Sequence, residues 1–286
     1  SPRALLLQAQ TNLSGGHEEI VGTLETGDGT TSKIVLQKPL PWKRRIDPCP
    51  FAGRYHLILP QRAGGAPHAP TGDGWGILTV SETGRVRMVL NLGDGTKVTA
   101  SSSITPEGRI PIERRIYRGK GSLSGILQVQ EVAGISDLDG SLRWVKPENQ
   151  RSRLHPGGFD LEVAAVGSVH DSTLLVPFPD LVGAGPWQVD IELSGGDFLT
   201  EPVVVPVELT RRGRTIRVKE LGPAPPLKPN RLLRGSINLR SGTVGLAFND
   251  RVLKKRAIAR GILYQRQSTM AGFLTGRSAL GAFHLK

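Results

Sequence analysis

Short runs in which apolar and polar residues alternate fill most of the chain, and turn-forming residues separate them. In the segment 85–91, for example, Val86, Met88 and Leu90 stand at every second position. A period of two is that of a β-strand with one buried face. Turn signals recur about every 8–12 residues, the spacing typical of β-sandwiches and β-barrels. The pattern therefore predicts an all-β protein.

Two kinds of tight turn connect these runs. Ser-Glu-Thr-Gly stands at residues 81–84, and Gly-Asp-Gly-Thr occurs at residues 27–30 and again at 93–96. An Asp-Gly pair between strand-like runs is a strong hairpin signal, because both central residues take positive φ. We therefore expect antiparallel hairpins at these places. Turn chemistry alone accounts for Asp28, Asp73 and Asp94.

The segment 246–260 is the one contender for a helix, since it contains neither Gly nor Pro. Its apolar residues have partly helical spacing, but Asn249-Asp250 is a turn pair and no convincing cap precedes it. We expect two strands around a turn, with a helix as the alternative.

A weak change of composition near residues 167–172 divides the chain into predicted domains at 1–170 and 171–286. The segments 124–128 and 260–265 resemble each other, and both contain the sequence Gly-Ile-Leu. Glycine inside a strand permits the sharp coiling that barrels need. The expected architecture is two related antiparallel β-barrels or half-barrels packed together.

Composition adds a strong positive charge to this picture. The chain has 37 Lys and Arg against 25 Asp and Glu, which gives a formal net charge of +12 and a pI near 10.3. Such a surface attracts polyanions. The candidate partners are anionic polysaccharide, other cell-envelope components and nucleic acid. Nucleic acid is disfavoured, because the sequence has neither an RNP-type strand nor a recognition helix.

Aromatic residues beside cations are the candidate ligand contacts. Trp42 stands next to Lys43, Arg44 and Arg45, so its ring could stack on a sugar that those cations hold. Trp75, in the glycine-rich run 72–76, is the second candidate, with a core role as the alternative. Trp144 shares a strand face with Leu142 and is expected in the core.

Signals for catalysis, metal binding or a cofactor are weak. Six histidines are scattered without zinc-site spacing, and Cys49 is the single cysteine. Asp-Leu-Asp-Gly at residues 137–140 resembles the start of a calcium loop, but the pattern fails downstream and a turn is expected. Five acids in the first half could pair in a glycoside-cleaving groove, although sequence cannot pair them: Glu107, Glu113, Asp137, Asp139 and Glu162. We predict no catalytic residue, no metal and no cofactor.

Several motifs together resemble an uncharacterised β-rich module found near the C-termini of large secreted, multidomain bacterial surface proteins. They are Gly53–Leu59 and residues 72–80, 94–98, 107–111, 117–123, 142–147, 156–159, 166–168, 261–265, 272–274 and 280–285. The resemblance implies an extracellular, all-β, non-catalytic unit within a larger protein, and it carries over no functional residue. It leaves the net positive charge unexplained.

The expected function is a non-catalytic binding or scaffolding module, outside the cell or at its surface, that engages anionic glycans or other cell-surface components. The alternatives are a polysaccharide-degrading hydrolase or lyase and a structural subunit of an extracellular assembly. A surface groove with two facing carboxylates would favour the enzyme. Exposed edge strands or apolar patches would favour the assembly.

Overall fold

The fold was obtained as a computed structural model, which describes residues 5–12, 19–26, 31–37, 42–60, 69–132, 136–196, 199, 201–222, 231–250, 255–276 and 280–285. Nineteen strands and two short 3₁₀ turns, Tyr117–Gly119 and Gln265–Gln267, make up the regular structure of this part of the chain. The strands form three separate antiparallel sheets.

The first two sheets follow each other along the chain. The first contains β1 (Leu5–Asn12), β2 (Glu19–Thr26) and β3 (Thr31–Gln37). The second contains β4 (Gly53–Leu59), β5 (Gly74–Val80), β6 (Arg85–Asn91), β7 (Lys97–Ser103), β8 (Arg109–Ile116), β9 (Gly121–Val132), β10 (Ser136–Lys146) and β11 (Phe159–Val169).

The eight-stranded sheet is a nearly closed barrel. Its strand order is β7-β6-β5-β4-β11-β10-β9-β8, so the first strand, β4, pairs with the last, β11. The two edge strands, β7 and β8, are consecutive in sequence. Between them the Ser102 hydroxyl donates a hydrogen bond to the Pro111 carbonyl. We call this opening the seam.

The third sheet is a closed barrel of eight strands in sequence order, in which β12 pairs with both β13 and β19. Its strands are β12 (Trp187–Gly195), β13 (Val203–Arg212), β14 (Thr215–Glu220), β15 (Arg231–Asn238), β16 (Thr243–Asp250), β17 (Lys255–Tyr264), β18 (Thr269–Thr275) and β19 (Leu280–Leu285). The predicted fold class, all-β with antiparallel barrels, is confirmed.

Each barrel has its own apolar core, built from the inward positions of its strands. In the first barrel Leu142 and Trp144 are buried on the same face of β10, so the predicted core role of Trp144 is confirmed. β11 ends at Val169 and β12 begins at Trp187, and none of the described strands is shared between the barrels.

The barrels pack against each other through apolar outward faces, a contact that we call the joint. One cluster at the joint unites Ile58 of β4 with Ile262, Tyr264 and Ala271 of β17 and β18. A second cluster contains Leu154, Phe273 and Leu280. β4 shows the consequence, because its last five residues are all buried instead of alternating.

Three local predictions have distinct outcomes. The segment 246–260 does form parts of two strands, β16 and β17. The turn expected at residues 137–140 is wrong, because these residues belong to β10 and pair with β9 and β11. The Gly-Asp-Gly-Thr turn at residues 27–30 lies outside the described residues. None of the described segments is a helix of the length and apolarity that crossing a membrane requires.

Candidate functional site

A shallow groove of about 580 Å³ crosses the outer face of the closed barrel over β14, β15, β16 and β17. Strand pairing aligns the outward residues into rows. One such row crosses all four strands. It runs from Arg217 on β14 through Ser236 and Gly245 to Arg260 on β17. Neighbouring strands are about 4.8 Å apart, so the Cα atoms of Arg217 and Arg260 are separated by roughly 14 Å. The groove is therefore wide enough for a single extended polymer chain.

Five cationic side chains line this groove: Arg217, Lys219, Arg234, Arg256 and Arg260. Every one of them is exposed to solvent. Among the described residues none of the five takes part in an ion pair, and no acidic side chain lines the groove. The nearest acid in register is Glu208 of β13, opposite Lys219, and its carboxylate accepts a hydrogen bond from Thr210. The electrostatic potential over the described part of the groove is therefore positive.

Small residues keep the middle of the groove open. Gly245 and Ala247 face outward from β16, between the arginines on either side. A Cβ atom added to Gly245 meets no other atom within 4 Å, so the space above this glycine is empty. A ligand can therefore approach the backbone here while the flanking cations contact it from both sides.

The predicted cluster around Trp42 lies elsewhere, beside the β5–β6 turn of the first barrel. The Trp42 ring is half-buried and covers Gly84 so closely that a Cβ atom there would lie 2.2 Å from its Cε3. Arg44 donates to Glu82 at 3.2 Å in an exposed ion pair, while Lys43 and Arg45 are exposed. The structure does bring these four residues together, and their role in binding stays a prediction.

Trp75 lies at the opposite end of β5 from the turn that Trp42 covers. Its half-buried ring packs against both apolar clusters of the joint. The structure therefore separates the two tryptophans that sequence reasoning placed in one candidate set. The ligand-binding role of Trp75 also stays a prediction.

The groove cations were missed as a set by sequence reasoning, because they come from three strands that are separated along the chain. Two signals were present: Arg217 and Lys219 stand two residues apart in β14, and residues 254–256 form a basic cluster. Period-two spacing puts such residues on one face of a strand. Only the strand order shows that these faces are neighbours.

The five candidate acids of the first barrel lie away from the groove. Ser141 donates to the Glu162 carboxylate at 2.7 Å, and Gln130 donates to Asp139. Asp137 is buried, accepts from the Val169 amide at 2.7 Å, and forms an ion pair with Arg266 across the joint. Cys49 is a buried free thiol. The described residues contain no group of three or more His, Cys, Asp or Glu side chains placed to hold a metal ion.

No protein-family model matches the chain, and no curated protein matches its sequence.

Proposed function

We propose that this protein is a non-catalytic binding module for anionic polysaccharide, acting outside the cell or at its surface, and that the groove over β14–β17 holds the polymer. The observation that carries the proposal is the set of five exposed cations that have no acidic neighbour among the described residues of the groove. A sulfated or uronic-acid chain supplies the missing negative charges at regular intervals.

The lack of ion pairs among the described residues of the groove makes the free energy of ligand binding more favourable. A cation that is already paired must give up that partner before it binds a ligand, whereas an unpaired one loses only water and a mobile counterion. Five such cations on one face release counterions together, and this release favours a linear polyanion over a small single charge.

The lining of the groove favours polysaccharide over nucleic acid. Proteins that bind single-stranded nucleic acid combine a basic track with aromatic rings on which the bases stack. Apart from its five cations, the groove is lined by Val, Gly, Leu, Ala and Ile residues, and no aromatic residue is among its described residues. A charged sugar chain needs no stacking platform.

The non-catalytic part of the proposal has its own support. Glycoside hydrolysis uses two carboxylates on either side of the scissile bond. Since the described lining of the groove contains no carboxylate, a polymer bound there lacks both an acid and a base. The resemblance to secreted surface proteins supports the proposed location.

Binding measurements on four polymers test the proposal: heparin, polygalacturonate, neutral dextran and single-stranded poly-dT. We expect heparin and polygalacturonate to bind at low salt, dextran not to bind, and poly-dT to bind more weakly than heparin. The variant Arg217→Ser/Arg234→Ser/Arg260→Ser should lose at least roughly tenfold in heparin affinity, because it removes three cations that would contact sulfate or carboxylate groups.

A matched control is the variant Arg109→Ser/Arg114→Ser/Arg115→Ser on β8. It removes three exposed arginines and the same net charge from the first barrel. An equal loss of heparin affinity in both variants would show that overall charge, not the groove, drives binding. Tighter binding of poly-dT than of both polysaccharides would reassign the groove to nucleic acid.

A further inference from the structure

A second cavity, which we call the mouth pocket, lies at one end of the first barrel. Its volume is about 770 Å³, within the range of about 300–1,000 Å³ common for small-molecule sites. Three connections line it: the β6–β7 turn, the β8–β9 turn and the β10–β11 loop. It is separate from the groove, which lies on the outer face of the other barrel.

The floor of the mouth pocket is a buried polar network. The Lys146 ammonium donates to Asp94 Oδ2 and to the Leu154 carbonyl, both at 2.9 Å. The Tyr117 hydroxyl donates to the same Asp94 oxygen at 2.7 Å and accepts from Trp144 Nε1 at 3.0 Å. These contacts fix four side chains from three elements into one arrangement, so the floor is rigid and preorganised.

The charge of this floor is balanced. Burial by itself raises the pKa of Asp94, but the hydrogen bonds from Tyr117 and Lys146 outweigh burial and hold the pKa below its ordinary value. Asp94 is therefore an anion that neutralises Lys146. An ammonium has three N–H donors, and no described residue accepts a hydrogen bond from the third one of Lys146. One donor remains for a ligand.

Unlike the floor, the rim of the mouth pocket has a net positive charge. Arg118, Lys120 and Arg151 are exposed there, and no ion pair involves them among the described residues. Glu148 is the one acidic residue of the described rim, and it accepts a hydrogen bond from Gln150 at 2.7 Å. The rim therefore attracts anions toward a floor that offers polar donors.

The backbone at the rim is strained in a way that points to function. Tyr117 and Arg118 have φ of 51° and 58°, the left-handed region that residues with a Cβ atom avoid. This strain persists because Tyr117 is anchored in the floor network, and it holds Arg118 at the edge of the pocket. Strained residues of this kind cluster at ligand clamps.

We infer that the mouth pocket is a second binding site, for a compact acidic sugar of one or two residues. Three connections enclose the cavity at the end of the barrel, which suits a compact ligand rather than a polymer chain, and its cations select an anionic group, which is a carboxylate or a phosphate. The remaining N–H of Lys146 and the polar side chains of Asn149 and Ser152 at the rim can form hydrogen bonds with the hydroxyls of a sugar. This inference stands apart from the proposed function of the groove.

Isothermal titration at low ionic strength tests the inference with glucuronate, glucose 6-phosphate and glucose. We expect at least one acidic sugar to bind and glucose to bind at least roughly tenfold more weakly, the factor typical of losing one charge-assisted contact. Arg118→Gln/Arg151→Gln should weaken acidic-sugar binding by roughly tenfold or more. The matched control Arg85→Gln/Arg87→Gln, which changes two exposed arginines of β6 that line neither cavity, should leave it unchanged.

The variant Arg118→Gly distinguishes a loss of ligand binding from a loss of folding stability. Glycine accepts the left-handed backbone, so we expect a higher melting temperature together with weaker binding of the acidic sugar. Failure of both acidic sugars to bind, or equal binding of glucose, would overturn the inference. Since the mouth-pocket and groove variants are read with different ligands, heparin binding and acidic-sugar binding can fail independently.

Discussion

Gly242 and Gly213 have nearly the same left-handed backbone, with φ of 69° and 62°, but very different surroundings. A Cβ atom added to Gly242 would lie 1.9 Å from Cε1 of His56, whose ring lies at the joint. A Cβ atom added to Gly213 meets no atom within 4 Å. The comparison separates the cost of backbone strain from the cost of steric overlap.

Gly242→Ala should therefore destabilise the protein more than Gly213→Ala. Backbone strain costs each variant about 1 kcal/mol. Overpacking at the joint adds roughly 1–3 kcal/mol to Gly242→Ala alone. Urea unfolding of both variants gives the two free energies. Equal losses would show that the turn carrying Gly242 can move away from His56 at no cost.

Lys146→Met should destabilise the first barrel by about 3–5 kcal/mol, because the Asp94 carboxylate would stay buried without its cation. The double variant Lys146→Met/Asp94→Asn should recover part of this loss, since it leaves no unpaired charge. The exposed Lys120→Met serves as the control and should change stability by less than about 0.5 kcal/mol. Similar unfolding free energies for both single variants would contradict the buried ion pair.

For individual residues, the sequence predicted local turn contacts but not contacts between distant parts of the chain. The turn role of Asp94 is correct, because the Thr96 amide donates to Asp94 Oδ1 at 2.9 Å. Turn chemistry alone, however, does not explain Asp94, whose other carboxylate oxygen binds Lys146 and Tyr117. These partners lie 52 and 23 residues away, and a local pattern carries no information about contacts at such separations.

Strand alternation was the most informative pattern for the elements. β6 and β14 alternate between exposed and buried residues as their sequences predict. The strands at the joint break this rule, since β4 and the end of β17 are buried on both faces. A second buried face arises from contact between barrels, so the pattern within one strand cannot reveal its partner.

The seam between β7 and β8 should be the least protected part of the first barrel. Edge strands leave backbone N–H groups without a strand partner, whereas every strand of the closed barrel has two partners. In hydrogen–deuterium exchange, peptides covering Lys97–Ser103 should exchange faster than peptides covering Thr243–Asp250. Equal protection of the two segments would show that the first barrel closes in solution.

At the scale of the whole molecule, two stacked histidines lie where the barrels meet. The rings of His56 and His170 are 3.9 Å apart, and His56 Nδ1 donates to the Leu263 carbonyl at 2.7 Å. His170 Nε2 donates to the carbonyl of Arg240 at 3.3 Å. The remaining nitrogens, His56 Nε2 and His170 Nδ1, are buried without a hydrogen-bond partner. Both rings are therefore neutral.

Lowering the pH should reduce the folding stability of the protein through this histidine pair. Burial, followed by the neighbouring His170, lowers the pKa of His56 from 6.5 to about 3, and burial also lowers the pKa of His170. Nearby Arg54 lowers both pKa values further, whereas Asp171 opposes the shift of His170. Below pH 6.5 the unfolded chain binds more protons than the folded one, so folding stability is complete above pH 6.5 and falls as the pH decreases.

The expected loss at about pH 4.5 is roughly 2–3 kcal/mol relative to about pH 7, from about 1.4 kcal/mol per unit of pKa shift. Urea unfolding across this range measures it. The variant His56→Leu/His170→Leu should show a flatter profile, whereas His155→Gln, whose ring packs against Phe159 and not against the stacked pair, should keep the profile of the parent protein. Parallel profiles for all three proteins would contradict the role of the pair.

The most direct test of whether the groove binds polyanions is heparin affinity measured over a salt series. The proteins compared are the parent, Gly245→Glu and Gly157→Glu. A Cβ atom at either glycine meets no atom within 4 Å, so each variant adds one carboxylate without a clash, but only Gly245 lies in the groove. The parent affinity should fall steeply with salt, and Gly245→Glu should reduce it by roughly tenfold and lower the salt slope by about one. Gly157→Glu should stay within about twofold of the parent. Equal effects of both substitutions, or heparin affinity that does not change with salt, would contradict the account.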